Sequence, residues 1–181
     1  MTTTQPQTQT VTLTHTSPLY PELHAAGEAG LPVLLVENAL GRAVIALQGA
    51  HVLAFRPREQ REMLWLSPRC KLQPDTAIRG GIPVIFPQFG ERGTLQKHGF
   101  ARNLPWQFEG VQDGAAVFVL ALDGRDATWP HACIARLHVQ LEASRLHVTL
   151  AIENTGDAAF VFTAALHTYL RVEDVAQVQV T

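Results

Sequence analysis

Cysteine is scarce in this chain. There are two, Cys70 and Cys133, far apart and with no metal-ligand spacing around either. The pattern argues against a metal cluster and fits unpaired buried thiols in a reducing cytosol. A surplus of positive charge is missing too: the formal net charge is -2, with 17% charged residues. A nucleic-acid or anionic-membrane partner is therefore not expected. No run approaches the roughly 18 apolar residues of a membrane span. The opening MTTTQPQTQTVTLTHT has no cationic region leading into an apolar one, so it does not read as a signal peptide. Nor does any helix-period pattern of ten residues or more appear. These absences together predict a cytoplasmic, non-helical protein.

What is present is apolar and strand-like. With 46% hydrophobic residues over 181 positions, the chain can bury a sizeable core as one domain or as a piece of a larger all-β one. Residues 1–16 read as a flexible leader and 17–181 as a β-sandwich domain, with one helical turn expected at Glu22 to Ala26. Strand signals fall at Val33–Glu37, Arg42–Leu47, Ala50–Phe55 and Met63–Leu66. Asp113-Gly114 separates Trp106–Glu109 from Ala115–Leu122, and an Asp-Gly pair suits a type I′ hairpin. The run AAVFVLAL is apolar on both faces, which places it centrally in a sheet. Two hexads, Arg136–Leu141 and Arg145–Leu150, alternate so that Leu137, Val139 and Leu141 share one face. They predict an antiparallel hairpin. Further strands are expected at Ala158–Leu166 and Val175–Val180. Short strands with regular turn signals mean an all-β sandwich or barrel.

One stretch departs from this rhythm: RGGIPVIFPQFGERGTLQKHGFAR, from Arg79 to Arg102. It holds too much proline and glycine for a helix interior or a central strand. It must run as loop and short extended pieces, yet Ile82, Val84, Ile85, Phe86 and Phe89 require it to pack. Ordered loops bearing charges on a rigid scaffold are common places for binding and catalysis. Arg79, His98 and Arg102 read either as facing a small anionic or polyhydroxylated ligand, or as solvated groups on a packed surface loop.

Eight histidines are many for this length. His15 and His24 lie in leader and loop. His138 and His147 lie on polar strand faces, without the third ligand a metal would need. His51 and His131 read as satisfied structural groups. His98 and His167 differ, the first before a glycine in a polar loop, the second at the end of an apolar run. Each is either a hydrogen-bonded filler or an acid at a cleft, imidazole being suited to proton transfer near neutrality.

Several blocks carry a resemblance: Ile78–Pro83, Phe86–Gly90, His98–Arg102, Trp129-Pro130 and Leu166–Tyr169. With Ala46–Val52 and Leu64–Ser67, they resemble the D-hexose-6-phosphate mutarotases, also called glucose-6-phosphate 1-epimerases, of the aldose 1-epimerase superfamily. The resemblance runs from about Leu31 onward. It implies a galactose-mutarotase-like β-sandwich that interconverts α and β anomers of a hexose 6-phosphate without metal or organic cofactor. His167 matches the general acid that protonates the ring oxygen. Arg79 and Arg102 match arginines that bind the sugar phosphate, which suits the guanidinium fork. His98 matches the histidine that positions the sugar.

Two departures stand out. Lys97 occupies a position where the family usually has glutamine, with Gln96 one place away. The family's glutamate base lies well beyond the His-Thr-Tyr block, and Glu173 follows His167 too closely to match it. The chain therefore reads as an N-terminal portion, incomplete at the C-terminus. Such a portion is expected to expose unpaired edges and self-associate. Without the base, turnover should fall by a factor on the order of 10² to 10⁴. Three functions compete: a hexose-phosphate isomerase, a catalytically disabled sugar-phosphate-binding sandwich, and a purely structural sandwich.

Overall fold

The structure, a computed structural model, describes residues 10–14, 31–70, 72–142 and 144–180. Four strands, β1 (Thr10–Thr14), β2 (Val33–Asn38), β3 (Gly41–Ala46) and β4 (His51–Pro57), form an antiparallel sheet in chain order. β5 (Val84–Ile85) stands apart. A second antiparallel sheet follows with β6 (Gln107–Gln112), β7 (Ala115–Asp123), β8 (Ala132–Glu142) and β9 (Arg145–Asn154). The last strand, β10 (Ala165–Leu166), pairs with β5. Among the described residues no helix is long and apolar enough to cross a membrane.

Local chemistry explains the turns. Leu40 N–H donates to Asn38 Oδ1 at 2.8 Å, closing the β2–β3 connection. Asp113 and Gly114 adopt φ of 49° and 80°, the pair of positive values a type I′ hairpin needs. In β8 the inward residues Cys133, Ala135, Leu137, Val139 and Leu141 are buried and the intervening ones are not. β9 pairs with it as the hexads predict, Leu137 opposite Leu150 and Val139 opposite Val148.

The two sheets share one core. Val36, Ile45 and Val52 of the first pack in the same cluster as Phe118, Leu137 and Val139 of the second. Full burial of each such side chain contributes about 1.5–3 kcal/mol, enough to fix which faces meet. Asn38 Nδ2 adds a polar tie, donating to the Leu141 carbonyl at 3.1 Å. The first sheet also buries its other face, where Leu72 and Ile78 cover Val44, Ala46 and Leu53. Its residues are therefore apolar on both sides, and the site-bearing loop is anchored through Ile78.

Several expectations need correction. Thr10–Thr14 pairs with β2, so that part of the expected leader is ladder; its Thr-Val-Thr-Leu-Thr alternation is a strand pattern. The rest of the leader and the turn at 22–26 lie outside the described residues. Met63–Leu66 makes only isolated bridges, Leu64 to Leu170 and Leu66 to Gly80. Of Ala158–Leu166 only the last two residues form a ladder, because β5 offers only two partners. Val175–Val180 begins with a 3-10 turn over Val175–Gln177, capped by Asp174 Oδ1 accepting from Ala176 N–H. Apolar residue type alone suggested a strand there, but no ladder partner meets it among the described residues.

Candidate active site

Residues 80–86 form a backbone spine to which three distant segments dock. On one side Ile82 N–H donates to the Val52 carbonyl at 2.8 Å. On another, Tyr169 N–H donates to Gly81 O at 2.9 Å and His167 N–H to Pro83 O at 3.1 Å. At the far end both Phe100 and Ala101 N–H groups reach Phe86 O at 3.2 Å. The sequence blocks around Arg79, His98–Arg102 and His167–Tyr169 thus meet because each satisfies the same irregular strand's backbone groups.

His98 is held unusually tightly for a loop residue. Its backbone has φ +68°, sparsely populated for a non-glycine residue, and such values cluster at functional sites. Its N–H donates to Gly90 O at 2.9 Å, while Gly90 N–H returns a bond to His98 Nδ1 at 3.2 Å. That bond requires an unprotonated Nδ1, so Nε2 carries the proton of the neutral ring. Burial first, then the charges of Arg102, His167 and Lys97, holds the His98 pKa below its ordinary value. Gly99 must follow: a Cβ there would collide with the Phe86 carbonyl. Buried Gln88 shapes the rest of the loop, bonding Leu95 N–H at 3.2 Å, Leu95 O at 3.1 Å and Gly90 O at 3.2 Å.

The half-buried His167 ring lies 5.9 Å from that of His98 and 5.0 Å from that of Tyr169, centroid to centroid. Arg102 stands on a 3-10 turn, Ala101–Asn103, and its Nη2 donates to Lys97 O at 2.9 Å. Its buried Nε has no hydrogen-bond partner among the described residues. Burial chiefly, with Arg79 adding repulsion, lowers the Arg102 pKa against the opposing influence of Tyr169. Arg79 itself is exposed. All four sequence-predicted residues therefore lie on the three docked segments or at the start of the spine, His98 and His167 in ring contact. Lys97 points to the acid of the same loop, its Nζ 3.2 Å from Glu91 Oε1.

The cluster is rich in cations and poor in bases. Glu91 is engaged by Lys97, and Glu173 by Arg61 Nη1 at 2.5 Å. Among the described residues no three His, Cys, Asp or Glu side chains group as metal ligands. His138 and His147 are not partners: His147 sits opposite Gln140 and its Nε2 meets Glu142 at 2.9 Å. His131 stacks on Phe160 at 5.3 Å, the structural role expected of it. Cys133 is buried and Cys70 only partly so; both are free. A cavity of about 660 Å³ adjoins the 94–104 segment, but none of Arg79, His98, Arg102 or His167 lines it. Sequence reasoning passed over Gln88 and gave His51 only a satisfied structural role. Both are buried polar side chains, and only their position within otherwise apolar blocks hinted at a supporting role.

Comparison with known proteins identifies the family and the fold. Residues 32–181 match the aldose 1-epimerase family model. A Salmonella typhimurium protein provisionally named glucose-6-phosphate 1-epimerase is 36% identical over 160 residues, covering 83% of this chain and 52% of that protein. One from Cenchrus ciliaris with the same provisional name is 38% identical over 151 residues, covering 76% and 46%. The chain thus spans about half the length of these curated relatives. A solved Salmonella typhimurium structure, provisionally described as a mutarotase, superposes with TM-score 0.68 at 33% identity over 81% of this chain and 50% of that one. A galactose mutarotase related enzyme from Lactobacillus acidophilus shares the fold, with TM-score 0.64 at 21% identity, covering 81% and 51%. The β-sandwich is galactose-mutarotase-like, and the chain belongs to the aldose 1-epimerase family.

Proposed function

We propose that this chain carries the proton-donating and phosphate-binding part of a hexose-6-phosphate mutarotase site. The observation that supports it most is the His98–His167 ring contact at 5.9 Å, on segments that also bring Arg102 and Arg79 to the same spine. In this reading His167 delivers a proton to the ring oxygen as the C1–O5 bond breaks. A carboxylate removes the proton from the anomeric hydroxyl, leaving an open-chain aldehyde. Rotation about C1–C2 and reclosure on the other face, with both protons returned, gives the other anomer. Two groups acting at once suit this chemistry, because ring opening needs proton delivery and removal together. Arg79 and Arg102 hold the 6-phosphate, and neutral His98 donates from Nε2 to a sugar hydroxyl. In this reading the base is a glutamate, and two glutamates of the described residues, Glu91 and Glu173, are already engaged by Lys97 and Arg61.

The deciding experiment follows α-to-β conversion of glucose 6-phosphate by polarimetry, with this chain and its His167→Ala variant. In this chain alone conversion stays near the spontaneous rate, while added acetate, standing in for the absent carboxylate, raises it only when His167 is present. Equal acetate effects in both proteins would remove His167 from the acid role. A second reading, a sugar-phosphate-binding sandwich without turnover, is favoured by the engagement of Glu91 and Glu173 elsewhere. It predicts calorimetric binding with no acetate rescue.

A further inference from the structure

His51 opens β4 and, among the described residues, is one of three buried polar side chains, 1% exposed. Its Nε2 lies 2.7 Å from the carbonyl of Gly80, the residue after Arg79. A carbonyl only accepts, so Nε2 carries the proton and donates. The turn it meets has no slack. Gly80 and Gly81 have φ of +108° and +63°, and a Cβ at Gly80 would collide with the Trp65 carbonyl. A Cβ at Gly81 would collide with the Val52 carbonyl and approach His51 Nε2 to 3.0 Å.

The residues just before His51 meet the other arginine. A Cβ on Gly49 would come within 2.6 Å of the Arg102 carbonyl, and Gly49 N–H donates to Leu104 O at 2.8 Å. The Gly49-Ala50-His51 segment is thus a common floor beneath both arginine-bearing segments. Arg102 also acts on the imidazole directly through its charge. A protonated His51 would add a third cation beneath the pair, whereas a neutral one fixes the turn without repelling it.

We infer that His51 is a positioning residue: by donating to the Gly80 carbonyl it holds Arg79 at the distance from Arg102 that grips an anion. This rests on the phosphate-binding reading of the two arginines given above. The side chain acts through Arg79 and touches no ligand.

The test uses inorganic phosphate, titrated by ³¹P NMR into the full chain and into His51→Gln, His51→Asn, Arg79→Ala and the Asn/Ala double variant. Gln places its amide near the Nε2 position and retains binding. Asn is too short to reach Gly80 and weakens it roughly fivefold to tenfold, the scale of one lost hydrogen bond. In the Arg79→Ala background the Asn substitution has no further effect, since the two act as one unit. An equal Asn penalty with and without Arg79 would reduce His51 to a general structural group. No phosphate binding by the unaltered chain would overturn the binding reading itself, and this inference with it. Undiminished binding in His51→Asn, with loss in Arg79→Ala, would overturn only this inference. One further measurement needs no variant: imidazole ¹⁵N shifts of the unaltered chain must show the Nε2–H tautomer at His51, and an Nδ1–H tautomer would refute the donor role.

Discussion

The imidazoles of His98 and His167 meet edge to face, 5.9 Å apart and inclined at 74°. Each comes from a different flank of the spine, so the pair exists only when both flanks are docked. The charge of His167 is among the influences that lower the His98 pKa.

His98 is therefore expected to titrate below its ordinary 6.5, because burial and the charges of Arg102, His167 and Lys97 all disfavour its cation. Removing a neighbouring positive charge must raise the value. Proton NMR of the imidazole C–H signals, compared between the unaltered chain and Arg102→Gln, checks this. A His98 midpoint that stays put or falls in the variant counts against the electrostatic account.

Stability should depend on pH through His51. Burial, opposed by the Gly80 hydrogen bond and assisted by Arg102, lowers its pKa from 6.5 to about 4. Between those values the unfolded chain binds the proton and the folded chain does not. The stabilisation is therefore complete above pH 6.5 and is lost as pH falls toward 4, by about 3 kcal/mol if the whole shift is expressed. Urea unfolding of His51→Gln across that window should show a flatter pH dependence; an unchanged slope would assign it to other groups.

Gly99→Ala should cost roughly 2 kcal/mol or more, because φ of +66° and the Phe86 carbonyl both oppose a Cβ. The 98–102 segment should detach locally before the sandwich unfolds. Hydrogen exchange at the Phe100 and Ala101 amides reads this directly, and unchanged protection there would contradict it.

The chain should self-associate. β9 is an edge of its sheet, with Leu146, Val148, Leu150 and Ile152 only partly buried. Val161 at 92% and Leu170 at 65% exposure add apolar surface beyond it. Exposed edges and patches of this kind invite pairing. Sedimentation velocity should give a weight-average coefficient that rises with concentration and is reduced by Val161→Asp with Leu170→Asp. A concentration-independent monomer would refute this.

How much of this was legible beforehand varies by element. The β8–β9 hairpin and the Asp113-Gly114 turn were plain, because alternation and positive φ are local properties of a few adjacent residues. Within the expected leader, Thr10–Thr14 alone is shown to differ, because threonine-rich polarity outweighed a five-residue alternation that pairing with β2 makes meaningful. Val175–Val180 failed for the opposite reason, since valine favours strands only where a neighbour exists to pair with. At the site, the residue types of the packed loop and the placing of the histidines singled out Arg79, His98, Arg102 and His167, and the matching blocks gave them their roles. His51 read as a satisfied structural group, but its partner could not be named, because Gly80 stands 29 residues away and the contact depends on how β4 packs.

The shared spine has an electrostatic consequence. It gathers Arg79, Arg102 and two histidines, and the neighbouring Lys97 adds its charge to His98. Arg79 and Arg102 repel each other there, and backbone bonds from the docked segments hold them against that repulsion. An anion bound between them would offset that repulsion and stabilise the folded state by binding it. Phosphate, sulfate and even plain salt should each raise the melting temperature, in descending order of how well they fit between the arginines.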